Sequence, residues 1–120
     1  MMTDFQELGA WKEGHRLVLD IYLITKSFPK DEIFGLISQL RRAVVSITSN
    51  IAEGFGRQGF KEKTHFYSIA RGSVTEVQNQ LIIAKDVGYI TKEVFEKIVH
   101  QAVLVRKIIH GLIKSSQLRY

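Results

Sequence analysis

Seven polar side chains in and beyond the middle of the chain have the types and spacing that chemistry could use. Arg42, Ser46, Ser49 and Glu53 fall within about 60° of one another at 100° per residue, and Asn50 borders them. A later segment adds Ser73 and Glu76. A serine, an arginine and a carboxylate could support hydrolysis, with the serine as nucleophile. No histidine stands beside either serine, so the stripe lacks an obvious proton acceptor. The alternative is a structural polar network of Arg42, Ser46, Asn50, Glu53, Ser73 and Glu76. A half-buried arginine needs a carboxylate to offset its desolvation, and Glu76 or Glu53 would serve. The network is the expected role, and no residue is assigned to catalysis.

Other chemistries have weaker support. Glu62-Lys63-Thr64-His65 is the only Glu-x-x-His tetrapeptide, whereas a di-iron bundle needs two. His100 and His110 lie ten residues apart, about 15 Å along a helix, too far to chelate together. His15 falls on an apolar stripe and reads as a core histidine. Gly54-x-Gly56-x-x-Gly59 spells a dinucleotide fingerprint but follows a helical pattern rather than a strand. Neither a metal nor a cofactor is expected.

Phosphate binding has more behind it. The net charge is +5, and residues 1–96 hold 12 basic and 12 acidic side chains. Residues 97–120 carry Lys97, Arg106, Lys107, Lys114 and Arg119 with no acid. Arg57, Lys61, Lys63 and Arg71 form a second group around the glycine-rich stretch, opposed there only by Glu62. Such cations can hold a phosphate backbone by releasing counterions. Aromatics do not interleave with them, so backbone contact rather than base reading is expected. The candidate contacts are Arg57, Lys61, Lys63, Arg71, Lys97, Arg106, Lys107 and Lys114. Whether the two groups share a surface is left open by the spacing.

Four helices must position these groups. Pro29, the glycine-rich stretch 54–59 and Gly88 divide the chain. Apolar residues recur at three and four throughout each segment: Leu8, Trp11, His15, Val18 and Tyr22; Leu36, Leu40, Ala43, Ile47 and Ile51; Phe66, Ala70, Ser73/Val74, Val77, Leu81 and Ala84; Val94/Phe95, Ile98, Ala102, Val105, Ile108/Ile109 and Leu112. Helices are predicted over about 8–27, 33–53, 60–86 and 91–115, with Thr91 capping the last. Short connections predict one all-α domain, an antiparallel up-down-up-down four-helix bundle. The first helix has a second apolar stripe, Leu17, Ile21 and Ile24, and the last is apolar over more than half its circumference. Surplus apolar faces predict self-association.

The absence of Cys excludes disulfides and thiolate metal sites. The longest apolar runs fall short of a membrane span, and MMTDFQELG lacks the order of a signal peptide; a cytoplasmic location is expected.

Gln39-Leu-Arg-Arg-Ala43, Ser46-Ile47, Asn50-Ile-Ala-Glu-Gly54, Ile69-Ala-Arg-Gly-Ser73 and Glu76 together resemble the bacterial 23S ribosomal RNA intervening-sequence proteins. Phe5, Leu8, Trp11, the Phe28-Pro29 to Gly35-Leu36 corner and Gly88-Tyr89-Ile90 agree, so the resemblance covers about residues 5 to 115. It implies a small bundle assembled into a homopentameric ring, without enzymatic activity. The family is similar to the accessory protein of diversity-generating retroelements, which implies nucleic acid (RNA favoured here) or a partner enzyme such as a reverse transcriptase as partner. Thr48 stands where the family commonly has proline, so a kink there is not expected.

Overall fold

The computed structural model describes residues 2–118; Arg119, the last of the C-terminal cations, lies outside the described residues. Four helices follow in order: α1 (Gly9–Thr25), α2 (Leu36–Phe55), α3 (Phe60–Asp86) and α4 (Lys92–Leu118). Each packs on its neighbours in the chain, and α1 also packs on α4. The described residues contain no strand. No described helix is long and apolar enough to cross a membrane.

The connections follow from local chemistry. Pro29 ends the first helical run, and Phe28 turns inward to meet Tyr89, their ring centroids 5.2 Å apart. Glu32 then does two jobs: its carboxylate accepts the Leu36 N–H at 3.1 Å and the Tyr89 hydroxyl at 2.7 Å. The Leu36 bond, then the Tyr89 bond, holds its pKa below the ordinary carboxylate value. The shared proton raises the Tyr89 pKa. One side chain thus starts α2 and ties it to the α3–α4 turn. Gly88 makes that turn with φ of 87°, a conformation that favours glycine. Thr91 begins α4 by accepting the Val94 N–H on its hydroxyl at 3.1 Å.

The core contains the expected stripes of α2, α3 and α4, with Leu40, Ile47, Ile51, Val74, Val77, Leu81, Val105 and Ile109 fully buried. Each such side chain contributes about 1.5–3 kcal/mol by leaving water. The first helix corrects the sequence reading. Its buried face is Ala10, Gly14, Leu17, Ile21 and Thr25, while Tyr22 and His15 are exposed and Trp11 and Val18 only half-buried. His15 stacks on Trp11 at 4.8 Å and is not a core histidine.

The physical reason is close approach. A Cβ at Gly14 would lie 3.2 Å from the Thr48 methyl, so α1 meets α2 through its smallest residues. Thr48 itself donates to the Val45 carbonyl at 3.2 Å, and α2 runs unbroken through it. Nearby, the buried Thr25 hydroxyl donates to the Ile21 carbonyl and accepts from Arg41 Nε at 2.9 Å.

Candidate nucleic-acid interface

The polar stripe resolves into separate parts. Ser73, buried on α3, donates its hydroxyl to Ser46 Oγ on α2 at 3.0 Å. Asn50 Nδ2 donates to the Ser46 carbonyl at 2.8 Å and to its hydroxyl at 3.1 Å. Ser46, Asn50 and Ser73 therefore form a small stitch across the α2–α3 seam. Arg42, Ser49 and Glu76 are exposed. Glu76 accepts a long 3.5 Å bond from Gln80 on its own helix. Glu53 faces outward and pairs with Arg57 at 2.8 Å.

The glycine-rich stretch is not all loop. Gly54 is buried inside the last turn of α2, where a Cβ would come within 2.6 Å of the Tyr67 ring. Gly72, by contrast, faces open space, so close helix approach falls to Gly14 and Gly54. Tyr67 is 2% exposed, and burial pushes its hydroxyl pKa up to about 12.

Two of the four cations around this stretch are engaged with the end of α2. Lys63 Nζ donates to the Phe55 carbonyl at 2.8 Å and to that of Gly54 at 3.2 Å, satisfying the terminal carbonyls of that helix. Arg57 binds Glu53 and lies over the Phe66 ring at 4.7 Å. Lys61 is exposed one residue into α3.

Arg71 lies elsewhere. Two turns further along α3 than Lys63, its Nη1 stands 3.0 Å from His110 Nδ1 on α4. Arg71, Arg106, Lys107 and His110 line a cleft of about 300 Å³ between the two helices. None of the four lining side chains is acidic. Arg106, Lys107 and His110 share one face of α4 by their spacing of three and four. Lys114 follows one turn later, exposed, and Lys97 lies exposed nearer the start of α4. The spacing had left open whether cations from the two sequence groups meet; here one does, Arg71 with Arg106 and Lys107.

His110 is the residue the sequence reading missed, having been weighed only as a metal ligand with His100. The available signal was its position three residues after Lys107 and four after Arg106 in an acid-free stretch. No three His, Asp or Glu among the described residues come together as a metal site.

These features define a class: a small all-helical bundle protein with a stitched α2–α3 seam and a cationic cleft between α3 and α4. Within that class the chain belongs to the 23S rRNA-intervening sequence protein family, whose model matches residues 6–111. The fold is also that of a crystallised protein of unknown function from the S23 ribosomal protein family of Bacteroides thetaiotaomicron. The two chains are 23% identical with a TM-score of 0.80, over 88% of this chain and 95% of the other. Among curated proteins, none matches.

Proposed function

We propose that this protein is a non-enzymatic, cytoplasmic nucleic-acid-binding bundle that holds the phosphate backbone of RNA on its basic surface. The carrying observation is the meeting of Arg71 with Arg106 and Lys107 in a cleft without acidic lining. Cations from two distant stretches there add to one field. Lys114 follows one turn later on the same side of α4, and Lys97, Lys61, Arg57 and Lys63 are the further candidate contacts. The family name, with its reference to 23S rRNA, supports RNA over other polyanions.

The reading includes one domain with antiparallel up-down-up-down helices, assembled as a homo-oligomer with five copies favoured. Support for assembly comes from α1, where Leu19 and Leu23 are 57% and 66% exposed beside Tyr22. In a five-fold ring the surplus of five charges becomes about twenty-five, enough to matter for phosphate attraction. A second reading, a protein-interaction adaptor docking a partner enzyme such as a reverse transcriptase, draws on Phe34, which is 97% exposed at the α1–α2 corner beside exposed Ile33.

Titrating single-stranded RNA at two salt concentrations tests the first reading. Affinity is expected to fall steeply as salt rises. Failure to bind at low salt overturns it and leaves the adaptor. Light scattering tests the assembly, and a monomer would remove the ring.

A further inference from the structure

Helices α1 and α3 occupy opposite corners of the bundle. Each packs on α2 and α4, and the two do not touch one another. Their outward sides therefore point in opposite directions, and each leaves aliphatic side chains uncovered. On α1, Leu19 and Leu23 are 57% and 66% exposed, one turn apart. On α3, Ile69 and Ile83 are 41% and 43% exposed, with Glu76 exposed midway between them. These three recur every seven residues, the spacing that keeps one side of a helix against another helix. Gly72 falls in the same stripe, and a Cβ there would meet nothing within 4 Å, so a second chain can approach closely.

The charges on the two sides are opposite. Lys12, Arg16 and Lys26 are exposed and lie with the two leucines within about 80° at 100° per residue. Glu13 turns to α4, where its carbonyl and carboxylate accept from Gln101, and Arg16 approaches it only to 4.0 Å. Asp20 stands at the edge of that side. Between residues 64 and 84, the Lys, Arg, Asp and Glu of α3 are Arg71 and Glu76 alone. Arg71 is directed to α4, so Glu76 sets the sign of the outward stripe. No ion pair among the described residues reaches Glu76, although Arg42 is exposed on the neighbouring helix.

We propose that these sides are the two halves of one contact between copies of this chain, with α1 of one copy lying against α3 of the next. The leucines meet the isoleucines beside Gly72, and the α1 cations surround Glu76. The proposal rests on the homo-oligomer reading and names its interface. A contact between two different patches is head-to-tail, so it closes into a ring or runs on as a filament and does not stop at a dimer. Because α1 and α3 stand at opposite corners, a ring built this way turns every α4 to one wall and every α2 to the other. The exposed Lys97, Lys107 and Lys114 then repeat around a single wall.

The test uses the full chain, followed by light scattering. The unsubstituted protein is expected at a multiple of 13.7 kDa, and Leu19→Asp/Leu23→Asp at 13.7 kDa itself. Glu76→Lys should weaken association at least about tenfold, because like charges then face each other. Adding Arg16→Glu and Lys26→Glu to Glu76→Lys should restore it. All of these positions are exposed, and circular dichroism verifies that each variant folds. The chain has no cysteine, so Leu23→Cys/Ile83→Cys treated with a bismaleimide should give a ladder of dimers, trimers and larger species. Neither single cysteine variant should crosslink. An assembly that keeps its mass in Leu19→Asp/Leu23→Asp, or that crosslinks through Leu23→Cys alone, overturns this interface while oligomerisation stands. Weakening by Glu76→Lys that the reversed cations do not restore overturns the pairing of the two sides. An unsubstituted chain that is monomeric overturns the interface and the homo-oligomer together.

Discussion

Helix α3 has two faces that treat polar groups in opposite ways. Toward α2, Ser73 meets Ser46, Asn50 closes on Ser46, and the Tyr67 ring lies where Gly54 leaves no side chain. Toward the outer cleft with α4, Arg71 faces Arg106, Lys107 and His110 without an acid in the lining. On the first face Ser73, Ser46 and Asn50 hydrogen-bond to one another and volumes fit closely, which stabilises the fold. The second leaves positive charge uncompensated, which destabilises slightly and suits an anion from outside. One helix thus separates the residues that build the bundle from those available to a ligand, and substitutions on its two faces should separate in the same way.

The sharpest break of the seam is Tyr67→Ala. It removes a fully buried ring and is expected to cost about 3–5 kcal/mol, read by urea unfolding. The same ring gives the seam a pH limit. The folded pKa of Tyr67 is raised from 10.0 to about 12, so its contribution is intact below pH 10 and is lost as pH climbs toward 12. That loss amounts to about 2–3 kcal/mol, and Tyr67→Phe should flatten the alkaline fall in melting temperature. Filling the space opposite the ring, by Gly54→Val, should cost about 1–3 kcal/mol. Ser73→Ala leaves Ser46 without its cross-helix donor and should cost about 1 kcal/mol. On the other face, Lys107→Ala should change stability by no more than about 0.5 kcal/mol while weakening RNA binding. A cleft substitution as costly as Gly54→Val would erase the distinction between the faces.

The legible parts of the sequence were those where hydropathy alone carries the signal. The stripe Leu36, Leu40, Ala43, Ile47 and Ile51 marks the buried face of α2 because its aliphatics have no competitor on another face. In α1 two stripes compete, and the larger residues, Trp11 and Tyr22, lie on the outer one. The buried face includes Ala10, Gly14 and Thr25: Gly14 fits there by its small size against Thr48, and the Thr25 hydroxyl is satisfied by Ile21 and Arg41. Hydropathy does not register close approach, so the stripes were exchanged. The candidate interface was legible as composition and hidden as geometry. An acid-free stretch could be counted along the chain. The meeting of Arg71 with residues 35 to 39 positions later depends on how α3 lies against α4. Arg42 and Glu76 illustrate the converse: the helical wheel put them beside Ser46 and Ser73, yet both side chains stand in solvent. A wheel gives the angle of a side chain but not the width of the contact it borders.

The salt dependence of RNA affinity in Arg106→Ala/Lys107→Ala, compared with the unsubstituted chain, tests most directly whether the α3–α4 face holds phosphates. Each phosphate contact on a single strand contributes about 0.7 to the slope of log affinity against log salt. Loss of two contacts should therefore make the slope shallower by about 1.4, with melting temperature little changed. A slope equal to that of the unsubstituted protein would show that phosphates are held elsewhere, and would contradict the account.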